Sequence, residues 1–254
     1  MFVRSLLVCA CVFLSPAPTV ALSADLAFAK VSTKVVRFPV GDPANSTDVG
    51  PLADSLTGID FDPAANVLWA INFTSQTVGT VNQSTGAYTS SAMLQGACCI
   101  TAFTIDPVDG TFYVSKGDRD IYSLDTVSGE TTLIGFGSAA GTSISALAAD
   151  CSGRLFALAA SGSDPPNLYQ ADLGVADPVL IGTPGYSGPT NLEFDNRSGV
   201  LYAWFLPPGG GNTISTHVTI DPTTGQATPI TQLEGRYRMA IRNECSIFAD
   251  DFEA

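Results

Sequence analysis

Along the chain, short runs of apolar residues, some alternating with polar ones and some continuous, are separated by Asp-Pro, Asp-Gly and Ser-Gly pairs. No stretch repeats its apolar positions at the three- and four-residue spacing of a useful helix, so the pattern predicts short strands joined by tight turns. The strands recur in four segments of one grammar. The first holds Leu56–Pro63, Asn66–Ile71, Thr77–Val81 and Ser84-Thr85-Gly86; the second, Ile100–Pro107, Gly110–Val114, Ile121–Asp125, Ser128-Gly129 and Thr131–Gly135. The third holds Ile144–Asp150, Gly153–Leu158 and Asn167-Leu168-Tyr169; the fourth, Asn191–Asp195, Gly199–Trp204 and Val218–Gly225.

Equivalent aspartates fix the period: Asp62 to Asp106 is 44 residues, Asp106 to Asp150 is 44, and Asp150 to Asp195 is 45. Four antiparallel strands in a repeat of about 40–45 residues is the size of one blade of a β-propeller. The chain ends complement one another. Val35–Val40 and Ser46–Leu52 match the second half of a repeat, whereas Tyr237–Phe252 match the first, with Ala240–Asn243 in the innermost slot and Ser246–Ala249 in the next. The expected fold is therefore all-β, a propeller of five blades of four antiparallel strands whose last blade is closed by N- and C-terminal strands. A four-bladed ring with frayed ends is the alternative.

The repeat resembles those of secreted bacterial propellers of the YVTN/NHL-like superfamily, whose blades often read Asp-Pro-x-Thr-Gly followed by Thr and aliphatic residues. Asp221-Pro222-Thr223-Thr224-Gly225-Gln226-Ala227-Thr228-Pro229-Ile230 is the best copy, and Leu124–Gly135 a looser one. The resemblance implies fold more than activity, since propellers host hydrolases, lyases, lectins and adaptors. Ile247–Glu253 is also similar to the Ile-Phe-x-Asp-Gly-Phe-Glu ending of exported Gram-negative proteins, with Asp251 in place of the glycine.

Composition narrows the function classes. With 11 Lys and Arg against 24 Asp and Glu, the 254-residue chain carries a formal charge of −13. A nucleic-acid partner is excluded on that ground, because phosphate neutralisation needs clustered basic residues. Residues 1–24 read as an export signal: Arg4, an apolar stretch from Ser5 to Leu14, then Pro16 and Pro18 before small residues. The stretch is shorter than a membrane span requires, so residues 25–254 are expected to form one propeller domain that is secreted or periplasmic, without membrane insertion, and monomeric. Removing that leader leaves Cys98, Cys99, Cys151 and Cys245, which permit two disulfides in three connectivities. Cys151 and Cys245 both follow inner strands, which favours a bond between them and leaves Cys98 and Cys99 bonded to each other or free. Asn45, Asn72, Asn82 and Asn196 lie in glycosylation sequons, which are too short to decide the source.

Few residues suggest chemistry. The repeated aspartates, with Asp125, Asp221 and Asn82, are expected to cap turns through backbone N–H groups. Two residues before each repeated Asp stand Asp60, Thr104, Ala148 and Glu193. On channel-lining strands, Asp60 and Glu193 would form a carboxylate pair of the kind glycosidases use, with pKa values pushed apart; the plain alternative is that both are solvated at the channel mouth. The single histidine, His217, is expected to be an ordinary strand residue, and the recurring Trp69, Phe112, Tyr113, Phe156, Tyr202 and Trp204 to pack between blades. Acidic clusters around Asp106, Asp118 and Asp250 fall short of a calcium loop, so no cofactor is expected beyond weak Ca²⁺ binding, and no Cys/His spacing suggests zinc. The Gly/Pro-rich stretches 161–167 and 207–212 are loops of the kind that carry function on rigid scaffolds. The sequence thus predicts a binding module for a carbohydrate, peptide or envelope protein, with a glycoside hydrolase or lyase using catalytic Asp60 and Glu193 as the alternative.

Overall fold

The computed structural model describes residues 26–52, 55–96, 99–118, 120–135, 142–161, 164–171, 173, 178–207, 214–242 and 245. The first blade in sequence is built from β1 (Leu26–Val31), β2 (Lys34–Pro39) and β3 (Thr47–Pro51). The second comprises β4 (Leu56–Asp62), β5 (Val67–Asn72), β6 (Thr77–Val81) and β7 (Tyr88–Met93). The third has β8 (Ala102–Ile105), β9 (Phe112–Ser115), β10 (Ile121–Leu124) and β11 (Thr131–Gly135). The fourth has β12 (Thr142–Ala149), β13 (Leu155–Ser161), β14 (Asn167–Ala171) and β15 (Val179–Gly182). The fifth has β16 (Pro189–Asp195), β17 (Val200–Phe205), β18 (Ile214–Ile220) and β19 (Ala227–Glu234), and β20 (Tyr237–Ile241) returns to pair with β1.

Every sheet is four-stranded and antiparallel, with β20 inside β1, β2 and β3 in the first. Contacts run β20 to β4, β4 to β8, β8 to β12, β12 to β16 and β16 back to β20, so the innermost strands close a ring around an axis. The chain is a five-bladed β-propeller.

Burial grades outward from that axis. All of β8 is buried, whereas β7 is mostly exposed and β11 exposed or half-buried throughout, and both are rich in Ser or Thr. An inner strand is covered on both faces, so its apolar run is continuous, while an outer strand is an edge that polar residues keep from pairing with other chains. Buried side chains form one cluster at each of the five blade-to-blade interfaces. Aromatic rings cross them as expected: Trp204 stacks on Tyr237 at 4.1 Å, Phe156 faces Phe194 at 5.6 Å, and Trp69 meets the edge of Phe112 at 5.1 Å.

One expectation about the closing blade is corrected. Its second strand is β1, not Ser246–Ala249, so the chain divides it as one C-terminal strand and three N-terminal ones. Ser246–Ala249, the leader and the Ile247–Glu253 ending lie outside the described residues, as does most of the loop 207–212.

The repeated aspartates cap turns. Asp62 accepts from the Ala65 N–H at 3.0 Å, Asp106 from Val108 at 2.8 Å, Asp150 from Ser152 at 2.9 Å and Asp195 from Arg197 at 3.1 Å. Asn82, Asp125 and Asp221 do the same in the hairpins joining third to fourth strands.

Candidate functional site

Five residues before each repeated Asp stands a hydroxyl: Thr57, Thr101, Ser145 and Thr190. In three inner strands the ladder slips at this residue, between Leu56 and Gly58, Ile144 and Ala146, and Pro189 and Asn191. A bulge bends the strand and re-aims the extra side chain, here toward the axis. The Thr101 hydroxyl donates to the Ile144 carbonyl at 2.8 Å, immediately before Ser145, and that of Thr190 donates to the Tyr237 carbonyl at 2.8 Å. By the same offset, the fifth member of the ring is Arg238 on β20. An arginine thus stands where the other four inner strands place a hydroxyl.

Below this ring the axis is nearly filled: the free space bounded by the ring and the residues beneath it is about 10 Å³, room for one water. Above it the channel opens into a cavity of about 280 Å³, lined by Thr57, Thr101, Ser143, Ser145, Arg236 and Arg238, with Phe73 and Cys99 at its rim. Lys30 pairs with Arg238 across the β1–β20 ladder. Crowding by like charge adds to burial at two of these cations. Burial and then the Arg236 charge bring Arg238 down to about 9, while Lys30 is lowered by burial and then by Arg238 and Arg236. Among the described residues, ion pairs form at Lys34–Asp48 and Arg154–Asp150, and neither arginine of the mouth has a carboxylate partner. Arg238 donates through Nη1 to the Thr190 carbonyl at 3.0 Å.

Asp60 and Glu193 lie further along the inner strands β4 and β16, on either side of β20, and neither lines the cavity or the narrow space below it. They are not solvated at the mouth, because Asp60 is 4 % and Glu193 2 % exposed. Asp60 accepts from the backbone N–H groups of Phe61 and Ile105, both at 2.6 Å, and from the Thr104 hydroxyl at 2.9 Å. Burial outweighs those bonds and raises its pKa to about 6. Glu193 is raised well above its ordinary value, first by burial and then by the Asp60 charge, against a hydrogen bond from Asn191. The Asn191 amide also spans the gap to β20, donating to the Met239 carbonyl and accepting from its N–H at 3.0 Å each.

The other sequence-nominated residues sit away from the cavity. His217 lies in β18, fully buried against Trp204 at 4.4 Å and Tyr202 at 5.5 Å, and neither ring nitrogen has a partner. Burial lowers it to about 3. Cys151 and Cys245 are bonded, with Cα atoms 5.5 Å apart, at the end of the channel opposite the mouth. Cys98 lies outside the described residues. Among those described, no group of three or more His, Cys, Asp or Glu gathers to hold a metal, and no helix is long and apolar enough to cross a membrane. Sequence reasoning missed Arg236, Arg238, Lys30 and the hydroxyl ring. The signal was present: an Arg-x-Arg pair in an acidic chain, and a hydroxyl recurring in register with the counted aspartates.

No family model and no curated protein matches the chain. Solved structures do match in fold. A chain in the crystal structure of the nidogen/laminin complex superimposes with a TM-score of 0.56 at 14 % identity, over 87 % of this chain and 99 % of that one. TolB from Acinetobacter baumannii gives 0.55 at 14 % identity, over 87 % of this chain and 67 % of that one. The PQQ-bound aldose sugar dehydrogenase from Streptomyces coelicolor gives 0.51 at 14 % identity, over 82 % and 72 %. At such identities the likeness establishes the propeller fold alone.

Proposed function

We propose that this protein is a secreted or periplasmic binding module without catalysis of its own, and that its ligand enters the cavity at the mouth of the channel. The observation that carries this reading is the mouth itself: an open space lined by hydroxyls and by two arginines that no carboxylate among the described residues neutralises, in a protein of charge −13. Polar groups converging on a preformed concavity are the ordinary anatomy of a small-ligand site. An export leader and a disulfide fit an oxidising compartment. Structures similar to it in fold include a complex between proteins and a TolB, which is in keeping with an interaction module.

The carboxylate-pair hydrolase is less well supported. Asp60 and Glu193 are sealed from the cavity, and Asp60 is engaged by the backbone of its own blade and the next. A thermal-shift screen of sugars, cell-wall fragments and peptides, followed by methyl NMR of any hit, tests the reading. The expected result is a hit that perturbs Ile100 and Ile144 beside the mouth and persists in Asp60→Asn and Glu193→Gln. Turnover of any compound that Asp60→Asn abolishes would overturn it in favour of the hydrolase.

A further inference from the structure

We infer that the mouth cavity receives the oxyanion of a small ligand, a carboxylate or phosphate group on a body no larger than a sugar ring. Arg238 and Arg236 take the charge and Thr57 provides a hydrogen bond. The inference rests on the proposed role of the mouth as a binding site and adds the chemistry of what binds there.

Three independent features lead to it. The first is the uncompensated charge. Arg238 is half-buried at the one ring position where a hydroxyl is replaced, and among the described residues a single recorded hydrogen bond, to the Thr190 carbonyl, occupies its five-donor fork. A planar guanidinium with free donors matches a carboxylate or phosphate in bidentate geometry, and placing it beside Arg236 and Lys30 with no acid paired to it among the described residues is unfavourable unless an anion joins them. The second is an orphan. Thr101 and Thr190 give their hydroxyl protons to the neighbouring inner strand, whereas the Thr57 Oγ1 is buried without a partner among the described residues, on a residue that lines both the narrow space and the cavity. Buried polar atoms are almost always satisfied, and one left unsatisfied beside a cavity marks where a ligand or water completes the set.

The third feature is size. A cavity of about 280 Å³ lies just below the usual small-ligand range of roughly 300–1,000 Å³ and holds about one ring. Phe73, 46 % exposed at the rim, offers that ring an apolar face. Polyanions are too large for this space, and the net charge of the protein repels them at longer range.

Calorimetric titration of the oxidised full-length chain with D-glucuronate, D-glucose 1-phosphate and D-glucose tests the inference. Glucuronate or glucose 1-phosphate is expected to bind and glucose not to, and whichever anion is tighter identifies the group as carboxylate or phosphate. Arg238→Gln and Arg236→Gln should each weaken that binding about tenfold or more, as loss of a charged hydrogen bond does. Thr57→Val gives a readout free of folding defects: it removes a hydroxyl with no partner among the described residues, so the melting temperature should hold or rise while affinity falls about threefold or more. No binding of either anion, or full affinity in Arg238→Gln, overturns the inference. A neutral ligand that perturbs Ile100 and Ile144 equally in wild type and Arg238→Gln would overturn it too, while leaving the binding module standing.

Discussion

Three buried groups, each with its charge equilibrium shifted toward the neutral form by burial, give the protein opposing pH dependences. The His217 pKa falls from 6.5 to about 3 on folding, so between those values the unfolded chain binds more protons than the folded one. Its contribution is complete above 6.5 and is lost as the pH falls toward 3. Asp60 acts in the other direction. Its folded pKa of about 6 exceeds the ordinary 3.8, so the folded state holds the extra proton and stability declines as pH rises through that window. Glu193 follows the sign of Asp60 from 4.5 upward. The expected outcome is a stability maximum in mildly acidic solution, measured by urea unfolding across pH. His217→Phe keeps the stack on Trp204 and deletes two unpartnered nitrogens, and should make the acid-side loss shallower by up to about 1.4 kcal/mol per pH unit. A wild-type slope in His217→Phe would mean that the histidine is not held neutral in the fold. Glu193→Gln should instead relieve the decline on the alkaline side.

Among the elements, two kinds of turn glycine look alike in sequence and differ in packing. Gly110, Gly153 and Gly199 close the first hairpin of their blades with φ of 76°, 76° and 70°, and a methyl group on any of them would meet open space. Gly86, Gly129 and Gly225 close the last hairpin with φ of 73°, 76° and 73°, but their turns lie against the outer strand of the preceding blade. Gly225 abuts Gly182 and Gly86 abuts Gly50, glycine on glycine, so each Thr-Gly hairpin is also a blade-to-blade contact. Gly153→Ala should cost about 1 kcal/mol, the strain of an alanine in the left-handed region. Gly225→Ala adds a collision with backbone and should cost about 1–3 kcal/mol more, a gap that denaturant titration of the two variants resolves. Equal costs would mean that the hairpin tips do not hold neighbouring blades together. The same elements show what the sequence made legible. Blade number, strand order and the capping role of Asp62, Asp106, Asp150 and Asp195 follow from local pattern and period, because each depends on residues close in the chain. The mouth does not. Arg238 matters because five inner strands converge on one axis, and the counted period ended at Asp195, one blade before the arginine that breaks the hydroxyl pattern.

The ring as a whole depends on how its ends are joined, and there the sequence reading picks the wrong segment for the second strand. Leu26–Val31 and Ser246–Ala249 are both mostly apolar, and the slot belongs to Leu26–Val31 as β1. The local hairpin explains the choice: β1 reaches β2 through Ser32 and Thr33 alone, with Ser32 at φ 51°, so pairing costs little loop entropy. A closing blade divided one strand to three is the place where the ring opens most readily, since release of β20 from β1 frees both termini. The Cys151–Cys245 bond acts against that release. It joins the chain just after β20 to the turn after β12, in a blade that is not β20's neighbour in the ring, across 94 residues of sequence, where Cys151 also donates its N–H to the Asn196 side chain at 2.7 Å. A loop of that length implies roughly 4–5 kcal/mol of stabilisation by chain entropy. Replacing both cysteines by serine should therefore lower the unfolding free energy by about 2–5 kcal/mol. Hydrogen exchange places the effect: the amides of β20 and β1 should lose protection first, with the middle blades following only at global unfolding. Loss of protection spread evenly over all blades would show that the terminal closure is no weaker than any other interface. Arg238 rides on β20 and Arg236 immediately precedes it, so the double serine variant should also bind the anion proposed for the mouth more weakly, tying the disulfide at one end of the channel to the cavity at the other.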